Sequence, residues 1–228
     1  MRERLSRRME PPRSGVPIGE GKAMKKLLLA GVAMLWLVST ATAAEITVRS
    51  VPKPYANEAV VILQGQIYQG DDIEFKLRTQ ALRGSVFVFL DSRGGEISTA
   101  INIGSFVHMN QWTTAVTNGD VCNSACALIW FSGVHRELGS VARIGVHSAG
   151  MRDDPTKRNG YGNLVVARYL ASIGIPTEII NRFAHADPCC MEYIDYEEAH
   201  SLGLLNEQPN RSKKRNYISP WYPIERIP

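Results

Sequence analysis

Two residues in this 228-residue chain have the types and the setting for nucleophilic chemistry, Ser124 and His147. Ser124 lies in Val121-Cys-Asn-Ser-Ala-Cys126 and is followed by an apolar run to Phe131. His147 closes the segment Ala142-Arg-Ile-Gly-Val-His147. Upstream, the apolar run Val86 to Leu90 enters Asp91-Ser-Arg-Gly-Gly95. A serine hydroxyl is a weak nucleophile until a base takes its proton, and histidine titrates ordinarily near neutrality. Acyl transfer also needs N–H donors aimed at the developing oxyanion. Glycines at 94 and 95 let backbone amides approach closely. Ala125 would add another amide at the positive end of the following helix. Each residue also has a plainer role: Ser124 as a helix cap, His147 as a strand-end histidine, Gly94-Gly95 as a strand-to-helix turn.

The elements that must position these residues alternate between two periodicities. Ala59–Gln64 and Val86–Leu90 are apolar and β-branched or aromatic, as in strands buried on both faces of a parallel sheet. Asp71–Leu82 has helical spacing, with Ile73, Leu77 and Leu82 on one side. Ile97–Met109 reads as a helix, Thr113–Thr117 as a short strand, Ala125–Phe131 as a helix and Ala142–Val146 as a fourth strand. Residues 151–163 are polar and rich in Gly, Pro and charge, which suits a surface loop or lid. Asn163–Ile173 and Pro176–Ala186 form a helix pair, and Asp195-Tyr-Glu-Glu198 fits a capping box for a helix ending at Gly203. The pattern predicts an α/β fold with a mostly parallel sheet flanked by helices. In such sheets, sites form beyond the carboxyl ends of strands, where Gly94-Gly95, Ser124 and His147 all fall.

The ends carry different signals. Met24-Lys-Lys26, an apolar run from Leu27 to Val38, and Ala41-Thr-Ala43 read as a signal peptide (24–43) cleaved after Ala43. Residues 1–23 read as an extension ahead of a true start at Met24. The address expected is periplasmic or secreted, with membrane attachment only if the segment stays uncleaved. The whole chain has 26 basic and 22 acidic side chains. Residues 1–43 hold 8 and 3 of these, leaving a net charge of −1 on the remainder. The basic balance therefore belongs to the leader and gives no argument for nucleic acid. Residues 44–206 form the expected domain, and 207–228 a basic tail with Pro and aromatic residues.

Cys122, Cys126, Cys189 and Cys190 would sit in an oxidising compartment, where disulfides are permitted. Three connectivities exist, and spacing does not choose among them. A Cys122–Cys126 bridge would pin the Ser124 turn; crossed bridges would tie 189–190 to it. Neither pair has the C-x-x-C spacing usual for zinc, so no metal and no cofactor is expected.

From Val60 to Leu205 the order of motifs resembles the Clp protease proteolytic subunit. That family belongs to the crotonase-like superfamily, with signal peptide peptidases of the SppA kind; the similarity is to an exported, uncharacterised branch. Asp91–Gly95 resembles the family's N-S-P-G-G turn, Ser124 its nucleophile segment and His147 its base position. Asp195–Leu205 resembles the closing helix pattern S-A-E-E-A-x-x-x-G-L-I. The resemblance implies a ββα-superhelix, a Ser-His(-Asp) site with an oxyanion hole from Gly94, Gly95 and Ala125, peptide or unfolded-protein substrates, and a homo-oligomer. No ATPase partner is expected outside the cytoplasm. Two departures stand out: Arg93 replaces the turn's proline, and cysteines flank the serine. Aligning the closing helices puts Met191 near the family's aspartate. Asp187, Glu192 and Asp195 are the nearest carboxylates, and Asp187 is the candidate third residue. A Ser–His dyad, an inactive scaffold for protein binding or assembly, and an acyl-CoA enzyme are the competing readings; an exported address disfavours the last.

Overall fold

The computed structural model describes residues 43–50 and 58–205. The leader up to Thr42 and the tail from residue 206 lie outside the described residues, so the readings made for them are not addressed by the fold. Among the described residues no helix is long and apolar enough to cross a membrane.

Strands and helices alternate as the periodicity predicts. In chain order they are β1 (Glu45–Ser50), β2 (Glu58–Gln64), α1 (Asp71–Thr79), β3 (Ser85–Asp91), α2 (Ile97–Met109), β4 (Thr113–Val116), β5 (Cys122–Asn123), α3 (Ala125–Ser132), β6 (His135–Leu138), β7 (Ile144–Val146), α4 (Gly160–Ser172), α5 (Thr177–His185), β8 (Glu192–Ile194) and α6 (Tyr196–Ser201). Five strands form one sheet in the order β1-β2-β3-β4-β6, and three form a second in the order β5-β7-β8. β2, β3, β4 and β6 run parallel; β1 is the antiparallel edge. In the small sheet β5 and β7 are parallel and β8 is antiparallel. The architecture is α/β with a mostly parallel sheet flanked by helices, as predicted. The single sheet implied by four read strands is in fact two, because β7 pairs with β5 beside the serine rather than with β4.

α3 is the centre of the core. All eight of its residues are buried, including Trp130 and Phe131. A helix apolar on every side can only be stable when covered all round. It packs against α2, which the Glu96 carboxylate caps by accepting from the Thr99 amide at 2.6 Å. Burial opposes ionisation of Glu96, but hydrogen bonds from Thr99 and Ser98 outweigh it and hold its pKa below the ordinary value.

α1 presents a different face from the one its spacing suggests. Phe75, Thr79 and Asp71 are its buried residues, while Ile73 and Leu77 are 62% and 61% exposed. Phe75 packs edge-on to Phe106 and beside Trp112, and that aromatic cluster sets the helix rotation.

Leu63 is fully buried near the carboxyl end of β2. Leu63→Ala should lower unfolding free energy by about 2–5 kcal/mol in urea denaturation, the range for a core leucine. Truncation of the exposed Leu77 should change it by less than about 0.5 kcal/mol.

Candidate active site

Ser124 joins β5 to α3 in a conformation that few non-glycine residues adopt, φ 56° and ψ −122°. Backbone strain of this kind costs about 1–3 kcal/mol and persists only where the surroundings over-determine it. Here they do. The Ser124 amide donates to Gly145 O at 2.8 Å, the Asn123 amide to Ser92 O at 3.0 Å, and the Ser92 amide to Val121 O. Cys122 and Cys126 are disulfide-bonded across the turn, with Cα atoms 5.2 Å apart. Cys189 and Cys190 are bonded to each other, so the pairing is local at both places. Asp187, Cys189 and Cys190 bring three potential donor atoms within 4.8 Å of one another. Both sulfurs of that group are committed to a disulfide, which leaves one carboxylate and no thiolate for a metal.

Ser124 makes no capping bond to α3. Its hydroxyl lies 2.6 Å from His147 Nε2. That disposes of the helix-cap role. His147 projects from the end of β7, and its Nδ1 lies 2.8 Å from Pro188 O. A carbonyl oxygen can only accept, so Nδ1 carries the proton and Nε2 is left to accept from the serine.

The expected third residue is corrected by this contact. Asp187 is exposed, and its Oδ1 accepts from the Cys189 amide at 3.2 Å. The turn that follows α5 brings the carbonyl of the next residue, Pro188, onto the imidazole instead. Asp195 caps α6 by accepting from the Glu198 amide, and Glu192 is exposed on β8.

The glycine turn sits against the serine. A Cβ on Gly94 would meet Asn123 O at 2.6 Å, Ser124 Cβ at 2.7 Å and Ala125 N at 2.9 Å. The two glycines do not have the same role. The Gly94 amide donates to Ser92 Oγ at 3.1 Å. The Gly95 amide has no hydrogen-bond acceptor among the described residues. The Ala125 amide, at the first position of α3, has no intrahelical acceptor either. Gly95, Ala125, Ser124 and His147 line one cleft of about 200 Å³, with Ile97, Leu128, Val166 and Phe183 as its apolar wall. The N-terminus of α3 contributes positive potential there.

The segment expected as a lid folds back on itself. Gly150 pairs with Arg158, the Met151 amide donates to Lys157 O, and Pro155 reaches the cleft. Two residues that the sequence pattern did not single out hold it down. Arg158 donates to the carbonyls of Ala184, His185 and Ala186 at the end of α5, and Asn163 Oδ1 accepts from the Ala149 amide at 2.6 Å. Among the described residues, two buried side-chain polar atoms lack a hydrogen-bond partner, Asn123 Oδ1 and Ser148 Oγ. They belong to the chain neighbours of Ser124 and His147.

No family model matches the chain, and no curated protein matches it. Among solved structures it is similar to the ClpP protease catalytic domain from Plasmodium falciparum. The TM-score is 0.49 and the identity 18%, over 66% of this chain and 86% of that one. It is also similar to a mutant of the 1510-N membrane-bound stomatin-specific protease. There the TM-score is 0.48 and the identity 16%, over 64% of this chain and 75% of that one.

The glycine turn gives a test by substitution. Gly70 and Gly95 both have positive φ, but a Cβ at 70 meets nothing within 4 Å, whereas one at 95 would lie 2.0 Å from Ile67 O. Gly70→Ala should cost about 1–2 kcal/mol, the backbone penalty alone. Gly95→Ala should cost clearly more in the same denaturation experiment, because backbone must also move.

Proposed function

We propose that the protein is an exported serine hydrolase of the peptidase kind, cleaving peptides or unfolded protein through Ser124 and His147. The contact that carries the reading is the 2.6 Å approach of Ser124 Oγ to His147 Nε2 from a strained backbone position. The order of motifs in the sequence, which resembles the Clp protease proteolytic subunit, supports the same class. The reading includes a periplasmic or secreted address, cleavage after Ala43, and a homo-oligomer.

In the reaction, Ser124 Oγ attacks the substrate carbonyl carbon while its proton passes to His147 Nε2. The carbonyl π electrons move to oxygen, which the amides of Gly95 and Ala125 receive. Loss of one such donor costs about 3 kcal/mol of transition-state stabilisation. His147 then protonates the leaving amine. Water, deprotonated by the same nitrogen, releases the acyl group from Ser124. Pro188 O holds the imidazole in the tautomer that both steps require. A neutral carbonyl stabilises the imidazolium less than a carboxylate would, so turnover should be slower than for a full triad.

That same contact also gives the second reading its support: a scaffold of this fold that binds protein without cleaving it. Fluorophosphonate labelling separates the two. The oxidised mature chain should label, Ser124→Ala should abolish labelling, and His147→Ala should slow it by about 100-fold or more. Asp187→Ala should label at a rate close to the parent, because its carboxylate does not touch the imidazole. Failure of the folded, disulfide-bonded parent to label would favour the scaffold.

Replacing Cys122 and Cys126 together by serine should lower both the labelling rate and the denaturation midpoint. An unchanged labelling rate in the folded double variant would show that backbone hydrogen bonds alone hold the turn.

A further inference from the structure

Among the described residues, Asp71 is a buried acid with no cationic partner. It is 5% exposed, and no Lys, Arg or His pairs with it among the described residues. Its Oδ2 accepts from two backbone amides, Tyr68 at 2.7 Å and Ala44 at 3.2 Å. The charged residues nearest in sequence to the two contacting groups are acidic: Asp72 and Glu74 in the same helical turn, and Glu45 beside Ala44. A buried ionised carboxylate without a countercharge is costly.

Ala44 is the residue that cleavage after Ala43 would place first in the mature chain. The change in burial coincides with that bond, since Ala43 is exposed and Ala44 is 7% exposed. Gly65 covers the same point, with the position of a Cβ there 3.7 Å from Ala44 Cα. We propose that Asp71 is the receptor for the α-ammonium of Ala44 created by removal of the leader. The Ala43–Ala44 C–N bond breaks with addition of one water, catalysed by a signal-peptidase-type enzyme of the export machinery. The water oxygen leaves with Ala43 as a carboxylate, and the Ala44 nitrogen takes up protons to become an ammonium. The amide hydrogen bond to Asp71 thereby becomes an ammonium–carboxylate contact, in which the donor as well as the acceptor carries charge. The buried carboxylate gains the countercharge it lacks in the precursor.

The consequence reaches the candidate site through one short turn. Asp71 holds the Tyr68 amide, and the adjacent Ile67 both donates to Gly94 O and accepts from the Glu96 amide at 2.9 Å. Leader removal therefore tightens residues 65–71, on which the Gly94-Gly95 turn is hung.

The proposal rests on the export reading but not on the chemistry of Ser124, and the test keeps them apart. The full precursor is expressed in an exporting host, and the recovered protein is sequenced from its N-terminus. A first residue other than Ala44 overturns the export cleavage and the proposal together. With Ala44 first, the α-amine is acetylated with an N-hydroxysuccinimide ester in the native state and in urea. Capture by Asp71 should slow the native reaction by about tenfold or more, a preference of about 1.4 kcal/mol for the charged amine over the neutral one. Asp71→Asn should remove most of that protection. Equal rates in native and unfolded protein, or protection unchanged in folded Asp71→Asn, would overturn the proposal alone. If Asp71→Asn does not fold, one glycine inserted between Ala44 and Glu45, moving the amine off Asp71, serves in its place; it should likewise abolish the protection, and retained protection would overturn the proposal.

Discussion

The left-handed turn at Ser124 is the constraint to which the surrounding structure is fitted. A non-glycine residue at φ 56° needs neighbours that forbid the relaxed alternative. The Gly145 carbonyl fixes the Ser124 amide, the Ser92 backbone fixes its neighbours on the strand side, and Cys122–Cys126 closes the turn covalently. Several separate requirements then follow. Gly94 must lack a side chain because the turn occupies that volume, and Gly95 because Ile67 does. β7 must pair with β5, which splits it from the larger sheet and brings His147 to the hydroxyl.

A strained turn needs a rigid base, and α3 supplies it. The helix has no solvent face, so it cannot rotate or shift without uncovering apolar surface on some side. Its few polar contacts are internal. Thr114 donates to Trp130 O, and Ser132 meets both Leu128 O and the Tyr169 hydroxyl. Burial pushes the Tyr169 phenol up from its ordinary pKa, partly offset by hydrogen bonds from Ser132 and Ser105. Arg136 closes the far end by donating to the carbonyls of Phe131, Gly133 and Leu204, and burial lowers its pKa. The cleft beside the N-terminus of α3 is thus built on the part of the molecule least able to move.

Most of the order of elements was legible from hydrophobic period alone. The α2 range matched to the residue, and β2, β3 and α3 to within one. What escaped notice was of three kinds. β1, β5, β6 and β8 are edge strands, and their polar or charged residues leave no continuous apolar run to mark them. The buried face of α1 was misassigned because its buried acid, Asp71, reads as a surface charge, while Ile73 and Leu77 read as core. The partner of His147 was misassigned because a backbone carbonyl has no residue type. Sequence pattern pointed to Asp187, one residue from the atom that makes the contact, since side chains are what a sequence displays. By contrast Ser124, His147 and the glycine pair, which the structure brings close together, stand out in the sequence because residue type marks them.

The two acceptor contacts, Pro188 O on His147 and the buried Asp71 on Ala44, pose different electrostatic problems. The Pro188 carbonyl orients the imidazole through Nδ1 without placing a charged group beside it. The Asp71 carboxyl is buried, and backbone dipoles alone compensate a buried carboxylate incompletely in a low-dielectric setting. The Tyr68 and Ala44 amides and the N-terminal end of α1 supply dipoles; a full positive charge must come from elsewhere. Among the described residues no Lys, Arg or His pairs with it, and its charged neighbours in sequence, Asp72 and Glu74, are acidic. Under the proposal, the Ala44 amine freed by leader removal is a cationic group that a change in covalent structure, rather than in conformation, would deliver to that atom. Because the same turn carries Ile67 to the glycine pair, the electrostatic state of Asp71 and the geometry of the Gly95 amide belong to one mechanical unit.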